Sequence, residues 1–133
     1  MALGKIKADT LEHSTAGSLD TSYVVNGSAK SWINFNGQGT PAARDSLNIS
    51  SLTDNGTGDY TPVYTSAFNN VNYSCALYFY GNTTVDTNSR QSGSSTKTTS
   101  NLRIRAGYDS TTNGGLTLYD SQGNDIHWMG DLA

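Results

Sequence analysis

Charge, cysteine, proline and histidine are all scarce in this chain. Of its 133 residues 14% are charged, one is cysteine, two are proline and two are histidine. There is a single glutamate, Glu12. Each shortage excludes something. One cysteine, Cys75, rules out an intrachain disulfide framework. Two histidines, His13 and His127, far apart in sequence, leave little from which to assemble a Ser/His/Asp set or a thiol–imidazole pair. No apolar run approaches the about 20 residues of a membrane-spanning helix. The opening MALGKIKADTLEH has no apolar stretch of the kind a signal peptide needs, so neither secretion nor membrane insertion is expected. A net charge of −3 and eight scattered basic residues give no footprint for nucleic acid.

What is present is polar and small. Ser, Thr, Asn and Gly together supply 61 residues. Low net charge argues against ordinary disorder. Eight Tyr, three Phe and two Trp can fill a thin core between two sheets. A single domain of this length, poor in Leu and Ile, gains from burying more surface against copies of itself. A homo-oligomer, a trimer by preference, is expected.

Short alternating apolar runs between Gly, Asn and Asp build antiparallel β-structure. Residues 22–26 (SYVVN) read as a first strand, ended by Asn26-Gly27. Residues 29–36 put Ala29, Ser31, Ile33 and Phe35 on one face and Trp32 on the other. Leu47, Ile49 and Leu52 mark a further strand with a kink at Ser50-Ser51. Residues 54–59 read as a turn, and 60–65 as a strand that Pro62 places at an edge or bulge. The most apolar strand is 73–80, with Cys75, Leu77 and Phe79 facing one way and Tyr78 and Tyr80 the other. Residues 81–100 look most loop-like. Strands at 101–106, 115–120 and 125–129 complete the set. About eight short strands fit an all-β antiparallel sandwich, jelly-roll-like, over residues 21–133. Residues 1–20 read as an extended N-terminal arm, whose Leu3, Ile6 and Leu11 would meet a neighbour.

The search for chemistry returns little. Gly37-Gln38-Gly39-Thr40-Pro41-Ala42 matches a dinucleotide fingerprint, but no helix follows to hold a pyrophosphate. Asp54 and Asp59 flank a glycine-rich loop, without the alternate oxygens of a calcium loop. Turn-forming aspartate explains them more simply. Arg103 and Arg105 alternate with Leu102 and Ile104 and read as the outer face of a strand. Cys75 reads as a small core residue. Five N-glycosylation sequons (Asn26, Asn48, Asn55, Asn72, Asn82) follow from composition alone. No enzyme, cofactor or metal is expected. Aromatic residues give the best binding hint: Trp32, Tyr78, Tyr80, Tyr108, Tyr119 and Trp128 can present flat faces to sugar rings or to protein.

Three motifs carry a resemblance. They are KSWINFNG at Lys30–Gly37, RDSLNISSLTDNGTGDY at Arg44–Tyr60 and FNNVNY at Phe68–Tyr73. With the lead-in KADTLEHSTAGSLDTSYVVNGSAK, this stretch resembles a module of tail-fibre and related structural proteins of tailed bacteriophages, many of them marine. The likeness covers most of residues 5–80 and is weaker beyond 81. It implies a virion structural protein, commonly trimeric, displayed on the particle and often used in host attachment. It implies no catalytic residues.

Two function classes stay open on this reading. One is a receptor-binding appendage that meets a host-surface glycan or protein through polar loops, with Asp54, Asn55, Asp59, Asn82 and Arg90 as candidate ligand residues. The other is a decoration or cement protein tied by its arm to other virion proteins of tail or capsid. A glycan depolymerase is a distant third. Trp32, Tyr78 and Tyr80 join Leu3, Ile6 and Leu11 as candidate interface residues. The expected location is the virion, after assembly in the host cytoplasm.

Overall fold

The computed structural model of the chain describes residues 7–80, 89–109 and 115–133, with side chains except at positions 13, 89–95 and 109. Leu3, Ile6 and Asn82 therefore lie outside the described residues, as does the side chain of Arg90.

A hairpin comes first. Strands β1 (Thr10–His13) and β2 (Gly17–Asp20) pair antiparallel from Thr10↔Asp20 to His13↔Gly17. Over its described part, the expected extended arm is thus a folded hairpin. Helix α1 (Thr21–Gly27) follows where residues 22–26 were expected to form a strand. Tyr23, Val24 and Val25 favour strands by shape. Here local hydrogen bonds outweigh that preference. The Thr21 N–H donates to the Asp9 carbonyl at 2.9 Å, and its hydroxyl to the Ala8 carbonyl at 2.7 Å. At the other end the Ser28 hydroxyl donates to the Val24 carbonyl and the Lys30 ammonium to the Val25 carbonyl. These partners serve backbone groups that a short helix leaves open. No residue of α1 is buried, so hairpin and helix have no core of their own.

Nine strands form the body: β3 (Ser31–Asn36), β4 (Ala42–Leu47), β5 (Ile49–Gly56), β6 (Asp59–Tyr64), β7 (Ser74–Tyr80), β8 (Ser89–Lys97), β9 (Leu102–Asp109), β10 (Leu116–Leu118) and β11 (Gly123–Met129). They make two antiparallel sheets. One runs β4-β3-β11-β7. The other runs β10-β9-β6-β5, with β8 also on β9. The protein is an all-β sandwich-like fold. With β1 and β2 the described strands number eleven, more than the eight expected. The additions beyond the hairpin are β4 and β8, whose polar sequences carry no apolar alternation.

The core lies between the sheets. Ile33, Phe35, Phe79, Ile126 and Trp128 project from the first sheet. Tyr60, Tyr64, Leu102, Ile104 and Ala106 project from the second. Trp128 is fully buried, which removes it from the aromatic residues available to a ligand. Cys75 packs at the core margin, and burial pushes its thiol up to about 12.

Each end of the sandwich is closed differently. At one end the Tyr60 hydroxyl sits 2.9 Å from an Asp120 carboxylate oxygen and 3.1 Å from the Gly37 carbonyl. The same Asp120 oxygen accepts the Gly58 N–H at 2.8 Å. Burial raises the Tyr60 phenol above its ordinary value, and Asp120 raises it further. At the other end Tyr64, Phe68, Tyr73 and Trp128 meet edge to face or stacked, with ring centroids 4.3 to 5.9 Å apart. The Lys97 ammonium stands 4.1 Å over the Tyr73 ring.

Two turns differ in detail from expectation. The expected turn at 54–59 narrows to Thr57-Gly58, with Asp54 inside β5 and Asp59 opening β6. Gly58 has φ +62, and a Cβ there would strike the Ala106 carbonyl oxygen. The chain changes sheets at Asn48, φ 58, and the kink expected at Ser50-Ser51 falls where the β5–β6 register shifts between Ile49 and Ser51. Pro62 lies inside the second sheet, not on its edge. It sits where the β6–β9 ladder lapses, between Tyr60↔Ile104 and the bridge Val63↔Asn101, so its missing N–H costs no ladder bond.

Candidate functional site

Period-two alternation turns Trp32 and Asn34 of β3, Ala76, Tyr78 and Tyr80 of β7, and Asp125 and His127 of β11 away from the core. Cross-strand register then decides which of them meet. His127 sits opposite both Trp32 and Ala76, and Trp32 opposite Leu47. Asp125 sits opposite both Asn34 and Tyr78. Gly123 sits opposite Tyr80. The outer face of β4-β3-β11-β7 thus carries an aromatic margin on β7 and polar rows beside it.

Tyr78 is 63% exposed and Tyr80 37%. Their ring centroids are 6.1 Å apart with planes 36° from parallel. Tyr80 holds its position because residue 123 is glycine. A Cβ on Gly123 would fall inside the Tyr80 ring. Glycine within a strand commonly marks such a close approach.

Beside the rings runs a line of hydrogen-bonding groups. The Asn34 amide donates to Asp125 Oδ1. Arg44 donates to Asn34 Oδ1 at 3.2 Å and to the Gln122 carbonyl at 2.6 Å. Arg44 is the extra residue of a bulge, because the β3–β4 register shifts between Asn34↔Asp45 and Phe35↔Ala43. The bulge aims its side chain across the sheet. Flat rings next to a carboxylate, an amide and a guanidinium offer stacking and directed hydrogen bonds to a sugar ring.

The loop residues expected to hold a ligand are engaged elsewhere. Asp54 Oδ1 accepts the Gly56 N–H at 2.9 Å and shapes the turn. The Asn55 amide donates to Thr61 Oγ1 at 2.8 Å and lies 3.3 Å from Asp59 Oδ1. Asp59 is 6% exposed and binds two arginines. Arg103 donates Nε to Oδ1 and a terminal nitrogen to Oδ2, both at 2.7 Å, and Arg105 Nε reaches Oδ2 at 3.1 Å. The Arg103 hydrogen bonds hold the Asp59 carboxyl below its usual value, against an opposing push from burial. Asp54 and Asp59 therefore do not converge on a shared ion. Among the described residues no group of three or more His, Cys, Asp and Glu side chains could hold a metal.

Of the interface residues, Trp32 is half-buried in the first sheet, while Tyr78 and Tyr80 stand out from it. Leu11 is exposed on the hairpin, beside an apolar groove of about 280 Å³ lined by Lys7, Ala8, Leu11, Thr21, Val24 and Val25. Tyr108 and Tyr119 pair at 6.0 Å on the other sheet. Sequence alternation alone separates Tyr78 and Tyr80 from the core. It cannot find Arg44, Asn34, Asp125 and Gly123, which only strand register brings beside them.

Comparison with protein families, with curated proteins and with solved structures finds no match. Among the described residues no helix is long and apolar enough to cross a membrane.

Proposed function

We propose that the chain is a structural module of a tailed-bacteriophage virion, displayed on the particle and used in host attachment. The observation that carries this reading is the outer face of β4-β3-β11-β7. Two exposed tyrosines there flank the Arg44–Asn34–Asp125 line, and this pattern suits a glycan better than it suits catalysis. The motif resemblance supports the same reading. Its residues include Trp32, Asn34 and Arg44 on this face, and Asn48, Gly58, Asp59 and Tyr60, which shape the corner, turn and core. The resemblance thus rests on the scaffold and its aromatic face.

The module works as a homo-oligomer. Leu11, Leu19, Tyr23, Val24 and Val25 are all exposed within the hairpin–helix unit. A lone hairpin and a two-turn helix are marginal in water. Covering these side chains with a sister copy stabilises them. The same apolar unit favours a second reading, a decoration protein clamped to the head.

Gold-labelled antibody on purified virions separates the two. Label at the tail or fibre tips supports attachment. Label spread over the head supports decoration. No label on any particle removes the virion reading.

A further inference from the structure

We propose that Asn26 is a self-modification site. Water converts its side-chain amide to aspartate and isoaspartate at the joint between helix α1 and the sandwich, and the new charge loosens that joint. The proposal does not depend on the virion reading.

The chain contains four Asn-Gly steps, at 26–27, 36–37, 55–56 and 113–114, and the last lies outside the described residues. An asparagine followed by glycine carries its own nucleophile. The glycine backbone nitrogen loses its proton to hydroxide and attacks the asparagine Cγ, unhindered by a Cβ. The N–Cγ bond forms, the Cγ–Nδ2 bond breaks, and ammonia leaves carrying a proton from water. The product is a five-membered imide. Water then opens the imide at either carbonyl. One opening gives aspartate. The other gives isoaspartate, whose main chain runs through the former side chain. Water is the only co-reactant, and no electrons are exchanged.

The fold silences two of the three described steps. The Gly37 N–H donates to the Ser121 carbonyl at 3.0 Å, and the Asn36 side chain is bonded to both the N–H and the carbonyl of Gln38. The Gly56 N–H donates to Asp54 Oδ1 at 2.9 Å, and the Asn55 amide donates to Thr61 Oγ1 at 2.8 Å. Both steps also sit in sheet ladders, at Asn36↔Ala42 and Gly56↔Asp59. Bringing the nitrogen onto Cγ there means breaking these bonds first.

Asn26 is held far less. Asn26 and Gly27 are both exposed, and the space a Cβ on Gly27 would take is open. The Asn26 side chain has no hydrogen-bond partner among the described residues. Helix geometry points the Gly27 N–H along the axis, away from Cγ, so attack requires the last turn to open. Helix α1 has seven residues, none of them buried, and no side-chain cap at its start. A helix this short opens often.

Placement supplies the consequence. Asn26 lines a cavity of about 260 Å³ together with Asn70, Asn72, Tyr73, Gly130 and Asp131 of the sandwich. A carboxylate at position 26 shares that cavity with the Asp131 carboxylate, a like charge. It also stands at the negative end of the helix dipole. Isoaspartate adds a main-chain methylene, which breaks the spacing of the helical hydrogen bonds.

The test ages the whole protein in warm, mildly alkaline buffer and follows each asparagine by peptide mass spectrometry. Asn26 is expected to convert at least about tenfold faster than Asn36 and Asn55, whose reaction waits on opening of the sheets. In urea the three should convert at similar rates, because the selectivity belongs to the fold. Gly27→Ala should slow conversion at Asn26 about tenfold, since a Cβ hinders attack and alanine keeps the turn closed. Asn26→Asp should speed hydrogen exchange across residues 7–27 while the sandwich melts as in wild type. Conversion of Asn36 or Asn55 as fast as Asn26 in buffer would overturn the proposal. So would a preference for Asn26 that survives in urea, or unchanged exchange in Asn26→Asp.

Discussion

The Tyr80 ring occupies the space that a side chain at position 123 would need. The two residues are a direct cross-strand pair, Gly123↔Tyr80, on the outer face of the first sheet. Tyr80 is 37% exposed and can swing outward. Gly123→Ala should therefore displace the ring without unfolding the sheet, at a cost of about 1 kcal/mol. A thermal melt should show a small shift, while glycan or host-cell binding falls markedly. Unchanged binding would mean that the ring's position does not matter.

Asp59 links stability to pH. Its folded-state pKa is lowered, chiefly by hydrogen bonds from Arg103. The stabilisation is therefore fully present above the unfolded carboxyl value of about 3.9 and drains as pH falls through the lower folded value. Asp59→Asn should cost about 1–3 kcal/mol at neutral pH, since charge-assisted hydrogen bonds are lost. It should also flatten the acid limb of a stability-versus-pH curve. A variant whose acid limb parallels wild type would contradict this role.

Asn48 turns the chain from one sheet to the other with φ 58. Its side-chain oxygen accepts the Ser66 N–H at 2.7 Å, and its amide donates to the Ser66 carbonyl at 3.0 Å. Asn48→Ala loses both bonds and adds left-handed strain, for a cost of about 2–3 kcal/mol. Asn48→Gly loses the bonds alone and should cost about 1 kcal/mol. Denaturant midpoints should rank wild type, glycine, alanine from high to low. The reverse order for the two variants would show that strain is not what Asn48 relieves.

Cys75 should be inert in the folded protein. Burial raises its thiol to about 12, so almost none is thiolate at pH 8. A disulfide reagent should label it slowly in buffer and at once in urea. Rapid labelling in buffer would place the thiol at the surface.

Much of the sandwich is legible in the sequence, for a physical reason. In β3 and β7 burial alternates along the strand, with Ile33, Phe35, Cys75, Leu77 and Phe79 on the more buried face as period two requires. Ile33 and Phe35 point in, Trp32 and Asn34 out. Strands β4 and β8 escape notice because their side chains are polar or small on both faces. Backbone pairing at a sheet margin holds them instead. Helix α1 escapes for the opposite reason. Its residues are good strand formers, and hydrogen bonds from Thr21, Ser28 and Lys30 override them. The candidate site divides along the same line. Tyr78 and Tyr80 are visible as an outward pair, whereas Arg44 reaches Asn34 only through a bulge that no local pattern announces.

The most direct test of the attachment reading is binding of the isolated protein to host cells, comparing wild type with Tyr78→Ala/Tyr80→Ala. Both tyrosines point away from the core, so the double variant should keep its fold and melting temperature. The account predicts that wild type binds, that free host glycan competes, and that the double variant loses at least about tenfold in affinity, as expected for two stacking rings. Equal binding by both proteins, or none by the wild type, would contradict it.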